Sequence, residues 1–207
     1  MEISTLAYIV ILIFSVVLHE VAHGYAAYLL GDLTAKYAGR LTLNPLKHID
    51  LFGSVLLPAF LVVTGSKFLF GWAKPVPYNP YNLKRGGRFA EALVAFAGPL
   101  ANILLAAFVA LLYKLGLVQI QLAFIAVYMN VFLAILNLIP VPPLDGSKVL
   151  PAFLPGSLRY SVEASFKNIE AQGITTMLIV IALLAYFASS YIASATHFVS
   201  MLLLGAS

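Results

Sequence analysis

Apolar residues gather in five long runs, at 6–30, 51–65, 90–113, 121–139 and 174–204, with short polar stretches between them. A helix that crosses a bilayer needs about 20 apolar residues. The first, third and fourth runs reach that length, and each predicts a spanning helix. Run 51–65 is too short and carries the helix breaker Pro58. It predicts a re-entrant hairpin, because irregular backbone at membrane depth survives only against protein or beside a wet cavity. The last run exceeds one span and is partly divided by Ser189 and Ser190. A span over 174–188 is expected there, followed by an interfacial helix or a second, weak span. Within 157–172, Leu158, Val162, Phe166 and Ile169 share one helical face, and Arg159, Glu163 and Lys167 share another. That pattern predicts an amphipathic helix lying on the membrane surface.

Composition sharpens the picture. The chain has 207 residues, of which 62% are hydrophobic and 10% charged, with a mean hydropathy of +0.98. Soluble domains carry about 45–50% apolar and about 25% charged residues. A soluble enzyme, a disordered tail and a disulfide-rich module are therefore excluded. The fold class is an all-α polytopic membrane protein forming one domain over 1–207. Short β segments are expected in the polar loops. The opening Met1-Glu2-Ile3 has no positive charge, so the first run does not read as a signal peptide. The chain has no cysteine, which excludes a thiolate metal site.

The net charge is +4. The 12 Lys and Arg are dispersed, so no nucleic-acid partner is expected, and basic loops in a membrane protein report orientation. If 51–65 dips in and returns, every basic residue from Lys36 to Lys167 except Lys114 lies on one side. By the positive-inside rule that side is the cytosol.

His19-Glu20-Val21-Ala22-His23 is an HExxH motif inside the first span. Residues i and i+4 share a helix face, so both imidazoles can reach one ion, and the intervening Glu20 can serve as general base toward a bound water. Ionisable groups inside a span cost about 2.5–3.5 kcal/mol each on insertion scales. Three in one turn need compensation, and a metal ion supplies it. If the helix ends near Leu30, His23 lies about 10 Å and His19 about 16 Å from that end. Catalytic zinc usually keeps three protein ligands and one open position. Glu91, at the start of the third run, and Asp145, past the end of the fourth, are the acids available for the third place. His48 and Asp50 read as loop residues, with a lesser prospect of a role near the entrance.

Together these residues resemble the site-2 protease family of intramembrane zinc metalloproteases. The resemblance rests on HExxH in an early span and on Asn137-x-x-Pro140-x-Pro142-Pro143-x-Asp145-Gly146 at the end of a later one. It also rests on Phe96-Ala97-Gly98-Pro99-Leu100-Ala101-Asn102, similar to the family's GPxxN motif, and on Phe70-Gly71-Trp72-Ala73-Lys74-Pro75-Val76-Pro77, similar to a segment before the middle core helix. The family implies a three-helix catalytic core over about 6–150, followed by C-terminal helices over about 157–207. It implies one Zn2+ per chain, held by His19, His23 and Asp145, with Glu20 activating the water. Asn102 and Asn137 would orient the substrate strand or stabilise the oxyanion. The linkers are too short for a PDZ insertion, so the match is to the compact branch. That branch implies a prokaryotic cell membrane, an active site toward the cytosol, and transmembrane protein or peptide substrates in the lipid bilayer. Segments 37–44 and 71–77 would pair with an unwound substrate by strand addition.

Other functions compete with this reading. A CAAX-type membrane zincin would take a Glu as third ligand, but Glu163 and Glu170 lie on the amphipathic stretch. A metal transporter or sensor needs ligands along a path, and the sequence offers one cluster. A catalytically silent relative would not need Glu20.

Overall fold

The computed structural model describes residues 3–65 and 71–205. Phe70 and Lys67 of the segments named above lie outside the described residues. Eight helices follow in chain order: α1 (Ile3–Leu30), α2 (Thr34–Tyr37), α3 (Leu57–Val63), α4 (Ala90–Lys114), α5 (Ile120–Asn137), α6 (Gly146–Val149), α7 (Gly156–Ala171) and α8 (Ile174–Leu204). Four helices among the described residues are long and apolar enough to cross a membrane, at Leu6–Leu30, Gly87–Lys114, Ile120–Asn137 and Tyr186–Leu204.

In the bundle, α4 packs between α1 and α5, and α8 closes against α5. The seam between α4, α5 and α8 consists of Ala106, Ala110, Ala123, Val127, Val131 and Leu204. Small side chains there let helix backbones approach closely, which is how helices associate in lipid. The outward faces are apolar instead: Phe14, Phe108, Leu111 and Phe198 are all more than half exposed. Such an inside-out pattern suits hydrocarbon solvent, where Leu and Phe need no cover.

Loops 31–50, 71–89 and 138–155 cluster at one end of the bundle, and the backbone N–H groups of Lys84 and Arg85 donate to the Leu30 carbonyl at the end of α1. Lys114 sits at the other end, beside Gly205. Lys84 and Arg85 thus lie at the end opposite Lys114.

Three expectations change. Stretch 51–65 is a π-type turn over Leu51–Leu56 running into α3. It forms one helical piece rather than a hairpin, and at about 1.5 Å per residue it is too short to span. Second, no strand forms among the described residues. The extended stretch 71–77 makes isolated bonds instead, from Trp72 N–H to the Gly53 carbonyl and from Lys74 N–H to the His48 carbonyl. Pro75 and Pro77 have no N–H to continue a ladder. Third, the C-terminal run is one continuous 31-residue helix, about 46 Å long. Ser189 and Ser190 do not divide it. Its packed face is the later half, where Ile192, Thr196, Ser200 and Leu204 are buried at four-residue spacing. The hydroxyls of Thr196 and Ser200 donate to the carbonyls one turn back, so they cost little at that depth. Within α8, Tyr186–Leu204 is long and apolar enough to cross a membrane, and the whole helix is longer than one span needs.

The amphipathic helix appears as α7, which buries none of its residues and holds an Arg159–Glu163 pair at 2.7 Å.

Candidate metal centre

The HExxH turn lies on α1, and its two imidazoles face α4. His19 and His23 are buried, at 6% and 8% exposure. A Cβ at Gly98 of α4 would stand 2.5 Å from His23 Nε2 and 2.7 Å from His19 Cε1. Glycine is thus the residue that lets α4 pass across both rings. Asp145 reaches them from the turn after α5. There the Pro-rich run 139–144 cannot continue the helix, and the chain folds back so tightly that a Cβ at Gly146 would strike the Leu138 and Ile139 carbonyls.

The three ligating atoms converge. His19 Nε2 is 3.0 Å from His23 Nε2 and 3.1 Å from Asp145 Oδ2, and His23 Nε2 is 3.4 Å from the same oxygen. Hydrogen bonds behind the rings fix which nitrogens carry protons. His23 Nδ1 lies 2.7 Å from the Val94 carbonyl, a pure acceptor, so Nδ1 is the donor. His19 Nδ1 lies 2.6 Å from Asn102 Oδ1 and donates likewise. With both rings neutral, the Nε2 atoms present lone pairs toward each other and toward a carboxylate oxygen that is buried with no hydrogen-bond partner among the described residues. Three acceptors this close repel unless a cation stands between them. Tetrahedral bonds of 2.0–2.1 Å place ligand atoms about 3.3 Å apart, near the separations found. His19, His23 and Asp145 are thus suited to hold a zinc-sized ion.

Glu20 is half-buried in the same turn, and its Oε2 accepts the Val76 backbone N–H at 2.8 Å. Between Pro75 and Pro77, Val76 is the one residue with an N–H to give. Its side chain seats against α1 where a Cβ on Gly24 would come within 2.8 Å of it. Segment 71–77 is held further by Arg40, whose Nη2 donates to the Lys74 carbonyl at 2.7 Å, and by Trp72, whose ring covers Gly53. Asp32, with no exposed surface, anchors the neighbouring loop. Its carboxylate accepts from the Thr34 hydroxyl and N–H, the Asn79 N–H and the Asn82 amide. Burial pushes its pKa up, but those hydrogen bonds outweigh burial and hold the carboxyl below the ordinary range.

Other sequence-derived residues fall elsewhere. Asn102 is fully buried behind His19 rather than on an open face, and its Nδ2 donates to Asn130 Oδ1 and the Ser15 carbonyl. Asn137 is half-buried at the end of α5, with Nδ2 on the Leu133 carbonyl. Glu91 is not part of the ligand cluster. His48 is buried in its loop, bonded to the Thr42 carbonyl. Sequence reasoning missed Asn130, Ser15 and the Val76 N–H. A carboxamide in mid-span at 130 was the available signal for the first, and a serine one turn before His19 for the second.

The model of peptidase family M50 matches residues 115–183. The chain is 38% identical over 189 residues to "Putative zinc metalloprotease YwhC" of Bacillus subtilis (strain 168), covering 85% of this chain and 80% of that protein. It is 30% identical over 151 residues to "Putative zinc metalloprotease Rip2" of Mycolicibacterium smegmatis, covering 68% of this chain and 54% of that protein. The Rip2 of Mycobacterium tuberculosis (H37Rv) is also 30% identical, over 146 residues. No solved structure matches the chain.

Proposed function

Since the chain belongs to peptidase family M50, the site-2 protease family of zinc metallopeptidases, we propose that it is an intramembrane zinc endopeptidase cleaving peptide bonds in or near transmembrane segments of other membrane proteins. The convergence of three buried acceptors, two from α1 and one from the turn after α5, carries the reading. His19, His23 and Asp145 are the ligands, and one Zn2+ when bound supplies Lewis acidity to water and to the scissile carbonyl.

Glu20 takes the proton of the attacking water and delivers it to the leaving amine nitrogen. The Val76 N–H holds one carboxylate oxygen and fixes how the group is aimed. The substrate must unwind, because a helical carbonyl is already bonded and shielded. An apolar groove of about 270 Å³ beside the HExxH turn, lined by Leu18, Val21, Ala22 and Tyr25 of α1 and by Leu41, Thr42 and Leu43, suits an extended apolar segment. Asn137, at the mouth of the Asp145 turn, orients that strand or the developing oxyanion. Asn102 acts from behind His19. The basic loops support an orientation with this end of the bundle toward the cytosol of a prokaryotic cell.

The test uses the full chain in detergent with a single-span substrate. Wild type is expected to bind one Zn2+ and cleave. Glu20→Gln should bind zinc and not cleave, and Asp145→Ala should lose zinc. Zinc binding with cleavage that survives Glu20→Gln overturns the proposal.

A further inference from the structure

Behind the metal-facing histidines lies a buried polar chain that the catalytic assignment does not use. Asn130, in the middle of α5, is fully buried. Its Nδ2 donates to the Ala126 carbonyl at 2.9 Å and to Ser15 Oγ at 2.9 Å. Its Oδ1 accepts from Asn102 Nδ2 at 2.9 Å. Asn102 Nδ2 also lies 3.3 Å from the Ser15 carbonyl, and Asn102 Oδ1 faces His19 Nδ1 at 2.6 Å.

A carboxamide can turn over and exchange its donor and acceptor ends, so each orientation must be set by a partner of fixed polarity. The Ala126 carbonyl accepts only, which puts the NH₂ of Asn130 toward it and its oxygen toward Asn102. The NH₂ of Asn102 points at two acceptors, Asn130 Oδ1 at 2.9 Å and the more distant Ser15 carbonyl at 3.3 Å, which turns its oxygen toward His19; the closer restraint is the one that Asn130 supplies. The polarity therefore runs in one direction from α5 to α4 to α1. At its end His19 must carry its proton on Nδ1 and offer a lone pair at Nε2. A polar chain in mid-bilayer needs its members paired, and each side chain here has at least one partner.

The geometry points to Asn130 and Ser15 as positioning residues for His19. Neither faces the ligand cluster. They act through Asn102, holding the His19 ring in the tautomer and rotation that a metal ion requires. Outer partners of metal-bound histidines do this work elsewhere, and their loss costs about 10–100-fold in metal affinity.

The inference rests on the reading of His19 as a metal ligand, and the experiment separates the two. Zinc affinity is measured by chelator competition on the full chain in detergent for wild type, Asn130→Leu, Ser15→Ala and the double variant. Ring nitrogen shifts of His19 are recorded on the metal-free proteins at a pH where the imidazoles are neutral. Asn130→Leu is expected to bind zinc about 10–100-fold more weakly, with mixed tautomers at His19. Ser15→Ala should shift both readouts the same way by less. The double variant should lose no more than Asn130→Leu, because both residues act through one amide. A merely structural role would leave the His19 tautomer single in all three variants.

Unchanged zinc affinity and an unchanged His19 tautomer in Asn130→Leu overturn the inference. If that variant does not fold, the same result in Ser15→Ala overturns it. Weaker zinc binding with a single His19 tautomer in every variant also overturns it. Wild type that takes up no zinc defeats the ligand reading itself.

Discussion

Replacing Gly98 by alanine tests the packing of α4 on the ligand pair. The added Cβ would lie 2.5 Å from His23 Nε2, 2.6 Å from His23 Cε1 and 2.7 Å from His19 Cε1. Relaxed contacts between heavy atoms sit at about 3.5–4.0 Å, so each ring must retreat by about 1 Å. Neither is free to do so. His23 is tied through Nδ1 to the Val94 carbonyl, one turn before Gly98 on the same helix, and His19 to Asn102, one turn after it. Metal–ligand distances tolerate only about 0.2 Å. Inserting a methyl group into a well-packed core costs about 1–3 kcal/mol, and tenfold in affinity corresponds to about 1.4 kcal/mol. Gly98→Ala is therefore expected to weaken zinc binding about 5–150-fold. The assay is chelator competition in detergent, with Gly156→Ala as control, since a Cβ there meets nothing within 4 Å. Wild-type zinc affinity in Gly98→Ala would refute the account of why a glycine stands opposite the HExxH turn.

Further expectations follow from the loops. Val76→Pro removes the N–H that holds Glu20 and should lower kcat/KM about tenfold or more, the worth of a hydrogen bond to a charged group, with zinc content unchanged; equal loss of zinc would contradict that role. Trp72 is the single tryptophan, so Gly53→Ala, which places a methyl group in its ring, should shift intrinsic fluorescence and raise protease sensitivity of segment 71–77. For Asp32 the folded pKa lies below the unfolded one, so its contribution is present above about pH 4 and lost as pH falls through the folded value. Melting in detergent should thus show wild type above Asp32→Asn at neutral pH, the two converging in acid; a gap independent of pH would sink this reasoning.

What the sequence disclosed and what it hid divide along physical lines. HExxH was legible because i and i+4 always share a helix face, whatever the helix packs against. Asp145 was legible only as one of two candidate acids beside Glu91, and the resemblance to the site-2 protease family, through the Pro-rich exit before Asp145-Gly146, singled it out. The direction that Asn102 faces was not legible. It depends on the rotation of α4 against α1, and apolar surroundings in lipid give no periodic contrast to fix that rotation. The Glu20–Val76 bond joins residues 56 apart through a segment without regular structure, which no local pattern encodes. In α8, hydropathy did not disclose that the later half packs into the bundle, because the small and hydroxyl-bearing residues of that face score as poor.

The acceptor cluster also has a mechanical side. Two of its members belong to the first helix, and the third arrives 122 positions after His23. An ion gripped by all three clasps the beginning of the chain to the turn after α5, across a helix that touches both. Chelation is then expected to loosen the bundle at the end that carries the loops and to leave the alanine seam toward Lys114 closed. Metal-free protein should splay from one end only, and limited proteolysis should cut first in the loops nearest the lost ion.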